Sequence, residues 1–209
     1  MIDDRYLLLM KYSPLVLLSV FAITLLILPD ASPSRADGQP AVPSTPLFSA
    51  DLSANPIHAA DQAVSWWTNS PQVTWVTDVV GQGKGSLKLT NTDPTKSVMV
   101  YSPFVPYTGP SINLVAEVKQ DSIQRGPAVV NKPIVAVYYY GADRKPIDVP
   151  WHNFHDGQIL GDGTLDWTSY NRTFTLPSNV GGVAFVRVVV GLVGSGTIWV
   201  DKVELSQGS

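Results

Sequence analysis

The chain has 209 residues, 44% of them hydrophobic and 15% charged, with 16 glycines, 17 prolines and no cysteine. That length suits one domain with a sizeable core, and the missing cysteines exclude disulfides, thiolate metal sites, a catalytic thiol and a lipid-modified N-terminal cysteine. A net charge of −3 removes the basic footprint of a nucleic-acid binder, so no nucleic-acid partner is expected.

The first element is an apolar run from Leu15 through Phe21 to Leu28, broken only by Ser19 and Thr24. Ser13 and Pro14 before it supply an N-cap and a first-turn proline, so residues 1–29 read as one apolar helix. Two roles compete for it. A secretory signal has a short apolar stretch followed by small residues, which Ser34-Arg35-Ala36 supplies. A retained anchor needs about 20 apolar residues, reached by counting from Tyr6 with Lys11 snorkelling toward the cytoplasmic headgroups. The expectation is a single-pass membrane anchor with a cytoplasmic N-terminus and an extracytoplasmic, periplasmic domain, or a secreted domain if the segment is cleaved. Residues 30–46 are rich in proline, serine and alanine without periodicity, which makes them a solvated linker.

From residue 47 to 209 the pattern is one strand after another. Strands are expected over Ala63–Thr68, Val73–Val79, Ser86–Thr90, Ser97–Ser102, Asn113–Gln120, Ile134–Tyr140, Ser169–Leu176, Val183–Leu192 and Thr197–Leu205. Turn chemistry separates them: Gly81-Gln82-Gly83, Asn91 to Pro94, Gly126-Pro127, Gly161 to Gly163, Gly181-Gly182 and Gly194 to Gly196. After the apolar helix no window keeps a helical period. The expected fold is all-β, a jelly-roll β-sandwich preceded by a single N-terminal apolar helix.

Period-two alternation sorts the aromatic residues. Tyr138 and Tyr140 share one face of their strand while Tyr139 opposes them, and Trp66 opposes Trp67. Rings on an exposed face suit stacking on sugars or anchoring a protein partner; Trp66, Trp67, Trp75, Tyr101, Tyr107, Tyr138, Tyr140 and Trp151 are the candidates, with Tyr138, Tyr140 and Trp151 preferred. His152-Asn153-Phe154-His155-Asp156 is the densest polar cluster, but its histidines lack a helix to align them, so it reads as a surface turn. Gly81 to Gly85 precedes a strand rather than a helix and reads as a hairpin turn, not an anion loop. Glu117, Asp166 and Glu204 are not paired by spacing, and no nucleophile elbow or metalloprotease motif occurs, so no catalytic residue is assigned.

The order of features from Gly85 to Leu205 resembles the β-sandwich carbohydrate-binding modules related to galactose-binding domains. Gly85-Ser86-Leu87-Lys88-Leu89 is similar to their early glycine-led strand, and Pro103 to Leu114 to their proline–glycine turn and following strand. Val135 to Tyr140 followed by Gly141 to Lys145 is similar to a characteristic hairpin. Trp167, Tyr170, Phe174 and Pro177 match a further stretch, and Gly196-Thr197-Ile198-Trp199-Val200-Asp201-Lys202-Val203-Glu204-Leu205 is similar to the closing strand. The resemblance implies core positions for Trp167 and Trp199. It also implies a structural calcium between first and last strands, with Asp201 as one carboxylate, the Lys88 carbonyl as another ligand and Asp51 as the acid of the first strand. Without the ion, Asp201 would pair with a lysine or cap a turn.

Carbohydrate-binding modules accompany catalytic domains, and none fits in this length. The expected function is therefore a non-catalytic, membrane-anchored subunit that docks its sandwich on a larger membrane complex, such as a respiratory or photosynthetic one. The alternative is a surface or secreted glycan-binding protein using exposed aromatics. Docking predicts a large apolar patch with a polar rim, and glycan binding predicts clustered aromatics.

Overall fold

The computed structural model describes residues 46–50, 52–58, 62–127, 133–147, 158–176 and 180–208. The chain separates into Met1–Ala41 and Val42–Ser209, and all described residues belong to the second unit. The anchor residues Leu15, Phe21 and Leu28, most of the linker, Asp51, Trp151 and the His152–Asp156 cluster lie outside the described residues. Among the described residues no helix is long and apolar enough to cross a membrane.

The described chain is all β. Its strands are β1 (Pro46–Ser49), β2 (Val73–Val76), β3 (Ser86–Asn91), β4 (Ser97–Tyr101), β5 (Val105–Pro106), β6 (Ser111–Arg125), β7 (Ile134–Tyr140), β8 (Gln158–Ile159), β9 (Gly163–Thr175) and β10 (Phe185–Gln207). β7 matches its expected span residue for residue. Ala63–Thr68 does not form a strand: only the bridges Ile57–Trp66 and Trp67–Tyr101 tie it to its neighbours.

β10 organises the molecule. Its first half, Phe185–Val193, pairs antiparallel with β4, β5 and β7, and β8 extends that sheet from β7. Its second half pairs with β1, β3 and β6, and β2 and β9 extend the second sheet from β3 and β6. The sequence reading placed a turn at Gly194–Gly196 and two strands around it. Instead, the ladder with β6 continues through Gly194↔Arg125 and Ser195↔Gln124, so the glycines bend one strand rather than end it. Gly194 has φ +136° and Gly196 φ +120°, a region that L side chains rarely adopt. A Cβ at residue 194 would stand 2.2 Å from the Gln124 carbonyl oxygen. Buried Asn91 pins the bend, its Nδ2 donating to the Gly194 carbonyl at 2.6 Å and to the Lys96 carbonyl at 2.9 Å.

The inward residues of both sheets form one apolar core, as in a β-sandwich. Val186, Val188, Val190 and Leu192 come from the first half of β10, and Ile198, Val200, Val203 and Leu205 from the second. Ile112, Leu114, Ala116 and Val118 face them from β6. Gln120, next in that inward series, is fully buried but satisfied: its amide donates to the Gly161 carbonyl at 2.9 Å and its oxygen accepts the Tyr170 hydroxyl at 3.0 Å.

Candidate functional site

Alternation that sends valines inward sends a different residue set outward from the β4–β10–β7 sheet. β10 presents Arg187 and Val189 between Met99 and Tyr101 of β4 and Tyr138 and Tyr140 of β7, with Arg187 in register with Tyr138 and Val189 with Tyr101. Trp67 joins beyond β4, held by mutual backbone hydrogen bonds with Tyr101 at 2.9 Å each way. The Thr68 hydroxyl donates to the Met99 carbonyl at 2.7 Å and fixes the same junction.

Half-buried rings cross this face in a row. The Trp67 and Tyr101 centroids lie 5.5 Å apart, and those of Tyr101 and Tyr138 lie 6.3 Å apart nearly edge to face. Beside the row, Phe104 packs at 5.0 Å on Tyr140 and at 6.0 Å on Phe185. Arg187 lies beneath them, 3% exposed. Its Nε donates to the Ser102 carbonyl, and its Nη2 donates to the Tyr101 carbonyl at 3.3 Å. Its guanidinium carbon is 4.6 Å from the Phe104 centroid and 5.3 Å from that of Tyr101. The Ser102 hydroxyl accepts the Val188 N–H at 2.8 Å, which anchors the end of β4 to β10.

Electrostatics follow from burial. Tyr138 is pushed well above the ordinary phenol range, first by burial and then by its neighbours Tyr101 and Tyr140. Burial raises Tyr101 and Tyr140 too, and the Arg187 charge opposes it in both. Burial lowers Arg187, and Tyr140 and Tyr101 counter it; a guanidinium stays charged all the same. These tyrosines are neutral hydroxyls, apolar in the body and polar at the tip.

The structure brings Tyr138 together with Trp67 and Tyr101, and it places Tyr140 differently from its use as an exposed stacking ring. Tyr140 shares the Tyr138 face but is 8% exposed, because Phe104 lies against it. Tyr139 opposes both and sits in the core against Tyr107, as the alternation requires. Trp66 is core at 2% exposure, so the Trp66/Trp67 pair is divided between the two sides. Trp75 is occupied elsewhere, its Nε1 donating to the Leu52 carbonyl at 3.0 Å. Phe104, Arg144 and Arg187 escaped the sequence reading. The signal for Arg187 was legible: one charge inside an otherwise apolar strand, Val186 to Val190, needs a buried partner.

Trp199 is buried at 9% exposure, as the resemblance implied, but stands outside the main apolar core cluster. Between inward Ile198 and Val200 it points to the outer face of the second sheet, under the Lys88 ammonium at 5.6 Å, with its buried Nε1 lacking a hydrogen-bond partner. The carboxylates considered for catalysis belong to that second sheet. Asp166 pairs with Lys119 at 2.6 Å and Glu204 with Lys202 at 3.4 Å.

Asp201 is 4% exposed, and its carboxylate accepts the N–H groups of Gly81 at 2.7 Å, Gln82, and Gly83 at 2.9 Å. This is an anion nest closed by the protein's own carboxylate. A cavity of about 390 Å³ adjoins it, lined by residues that include Ser53, Gln82, Lys84 and Lys202. Of the residues expected to hold a calcium ion, Asp51 lies outside the described residues, and Asp201 is engaged by N–H groups. Calcium takes six to eight oxygen ligands, whereas three N–H dipoles turn their positive ends to these oxygens. Lys88 is paired in the β3 ladders with Thr74 and Trp199. Among the described residues no three His, Cys, Asp or Glu side chains gather to hold a metal.

No protein-family model matches the chain, and no curated protein matches it. Solved structures do. The CBM22-1–CBM22-2 tandem domain of Paenibacillus barcinonensis Xyn10C superposes with a TM-score of 0.50 at 12% identity, over 78% of this chain and 46% of that one. The CBM22-1–GH10 modules of Clostridium thermocellum xylanase 10B, complexed with xylohexaose, give 0.50 at 10% identity, over 79% and 29%. In fold, the chain resembles the β-sandwich carbohydrate-binding modules. The enzymatically active domain of bacteriophage CBA120 tailspike protein 4 gives 0.50 at 11% identity over 73% of this chain and 21% of that one. The chain thus spans between about a fifth and a half of these three proteins' lengths. The carbohydrate-binding-module likeness is one of fold, and the aromatic face is the feature from which a role has to be argued.

Proposed function

We propose that the protein binds a glycan across the outer face of the β4–β10–β7 sheet. The observation that carries this is the row of half-buried rings, Trp67, Tyr101 and Tyr138, spaced 5.5 and 6.3 Å apart. Pyranose rings present an apolar C–H face that stacks on flat aromatic surface, and the phenol hydroxyls supply neutral donors and acceptors at its edge. Binding without catalysis is the simplest chemistry for this face, since Asp166 and Glu204 belong to the other sheet and are paired with lysines.

Glycan binding accounts for the surface better than docking on a membrane complex does. The aromatic surface is concentrated on one sheet face, whereas the exposed large hydrophobics among the described residues, Leu47, Val64 and Leu165, lie on three separate segments. The N-terminal apolar segment, as anchor or as cleaved signal, would set this face on the extracytoplasmic side, where polysaccharides are met.

Affinity electrophoresis of the full chain in mild detergent, through gels containing single polysaccharides, tests the proposal. Retardation by at least one polysaccharide, weakened about tenfold or more in Trp67→Ala and Tyr138→Ala, is the expected outcome. No retardation by any polysaccharide, or full retention in both variants, overturns it.

A further inference from the structure

Phe104 lies close to two cations. The Arg187 guanidinium carbon is 4.6 Å from its centroid, and that of Arg144 is 5.2 Å away. Arg144 also reaches Phe185 at 5.8 Å. Like charges drawn to one aromatic cluster repel each other, so the pair is costly unless something negative completes it.

Nothing on the described surface does. Among the described residues neither arginine takes part in an ion pair, and Asp143, the carboxylate described in the adjoining turn, is committed to Lys145 through an ion pair at 3.1 Å and the Lys145 N–H at 3.1 Å. Among the described residues, two positive charges therefore stand beside the aromatic row of a chain whose net charge is −3.

The two arginines do different work. Arg187 is 3% exposed and bound to the Ser102 and Tyr101 carbonyls, so it supplies a fixed positive field beneath the rings rather than a contact. Arg144 is exposed at the tip of the turn after β7, where the Gly141 N–H donates to the Lys145 carbonyl at 2.9 Å and the Arg144 N–H to the Gly141 carbonyl at 2.9 Å. Its φ of +60° is a left-handed conformation uncommon for a residue other than glycine. The turn holds that backbone while the exposed side chain lies along Phe104 and Phe185, beside the row.

We infer that the glycan taken by this face is anionic, a polysaccharide bearing carboxylate or sulfate groups, with Arg144 as the residue that meets the acid group. Stacking positions the sugar on Trp67, Tyr101 and Tyr138; the planar guanidinium fork then makes the charge-assisted hydrogen bond that a neutral sugar cannot return. This inference rests on the glycan-binding reading and adds the charge of the ligand.

Affinity electrophoresis of the full chain against polygalacturonate, carrageenan and neutral xylan, from about 0.05 to about 0.5 M NaCl, decides it. Expected is retardation by polygalacturonate or carrageenan well above that by xylan, weakening as salt rises; the first points to carboxylate and the second to sulfate. Arg144→Gln should weaken acidic binding about tenfold or more and Arg144→Lys less, both with unchanged thermal unfolding, since the residue is an exposed turn position. Trp67→Ala should weaken binding to every polysaccharide. Equal binding to xylan, or an Arg144→Gln variant that binds acidic polysaccharide as well as the parent does, overturns the inference while leaving glycan binding standing. No binding to any polysaccharide overturns both.

Discussion

Asp201 and Gly83 meet so closely that each dictates the other: the Gly83 N–H donates to the Asp201 carboxylate at 2.9 Å, and a Cβ at residue 83 would stand 2.3 Å from its Oδ1. Gly81 is under the same constraint, with 2.9 Å from its would-be Cβ to Oδ2. Gly83→Ala must therefore push the loop off the carboxylate. Asp201→Ala leaves the N–H groups of Gly81, Gln82 and Gly83 without their acceptor and should cost about 2–3 kcal/mol, since water replaces part of what is lost at this exposed loop. Urea unfolding of the variants measures both; midpoints within error of the parent would show that the nest does not support the fold.

Because N–H dipoles already neutralise Asp201, stability should not depend on a divalent cation. The expected result is one melting temperature in EDTA, in buffer alone and in millimolar calcium. A melting temperature that falls on chelation and returns with calcium would show that these oxygens serve an ion instead.

Arg187 couples the two halves of the aromatic face. Arg187→Leu removes the side-chain donor that the Ser102 carbonyl has among the described residues, while the Tyr101 carbonyl keeps the Trp67 N–H at 2.9 Å. The loss of the two hydrogen bonds to the Ser102 and Tyr101 carbonyls and of stacking under Phe104 should destabilise the protein by about 2–3 kcal/mol and change the near-ultraviolet circular dichroism of the tyrosines. An unchanged spectrum would separate Arg187 from the ordering of the row.

Alkaline pH should act on the same face. Burial raises Tyr101, Tyr138 and Tyr140 above the ordinary phenol value of 10.0, so the folded state keeps protons that the unfolded chain releases. Their contribution to stability is fully present below the unfolded value and is lost as pH rises beyond it. Melting temperature should be level up to about pH 9 and decline from about pH 10 upward, with tyrosinate absorbance appearing together with unfolding. Complete tyrosine ionisation in the intact fold would contradict the burial.

Several features were legible in the chain because they are local. Alternation of period two is enough to set Tyr139 on the face opposite Tyr138 and Tyr140, and to divide Trp66 from Trp67. The glycines at 194 and 196 marked a backbone irregularity correctly, but not its kind. Whether such a pair reverses or merely bends a strand depends on neighbours, and here Asn91, Gln124 and Arg125 keep the ladder running through them.

By itself, the sequence determined the all-β class, most strand positions and which neighbouring aromatics share or oppose a face of the sheet, since the pleat is a property of consecutive residues. Only the tertiary structure decided which outward residues meet. Trp67, the Tyr101–Phe104 stretch, Tyr138 and Arg187 come from separate segments, and strand order alone makes them neighbours. It likewise decided that Tyr140 is covered and that Asp201 faces N–H groups. Hydrogen bonds and ring contacts across a sheet depend on pairing between distant segments, and no spacing along the chain encodes it.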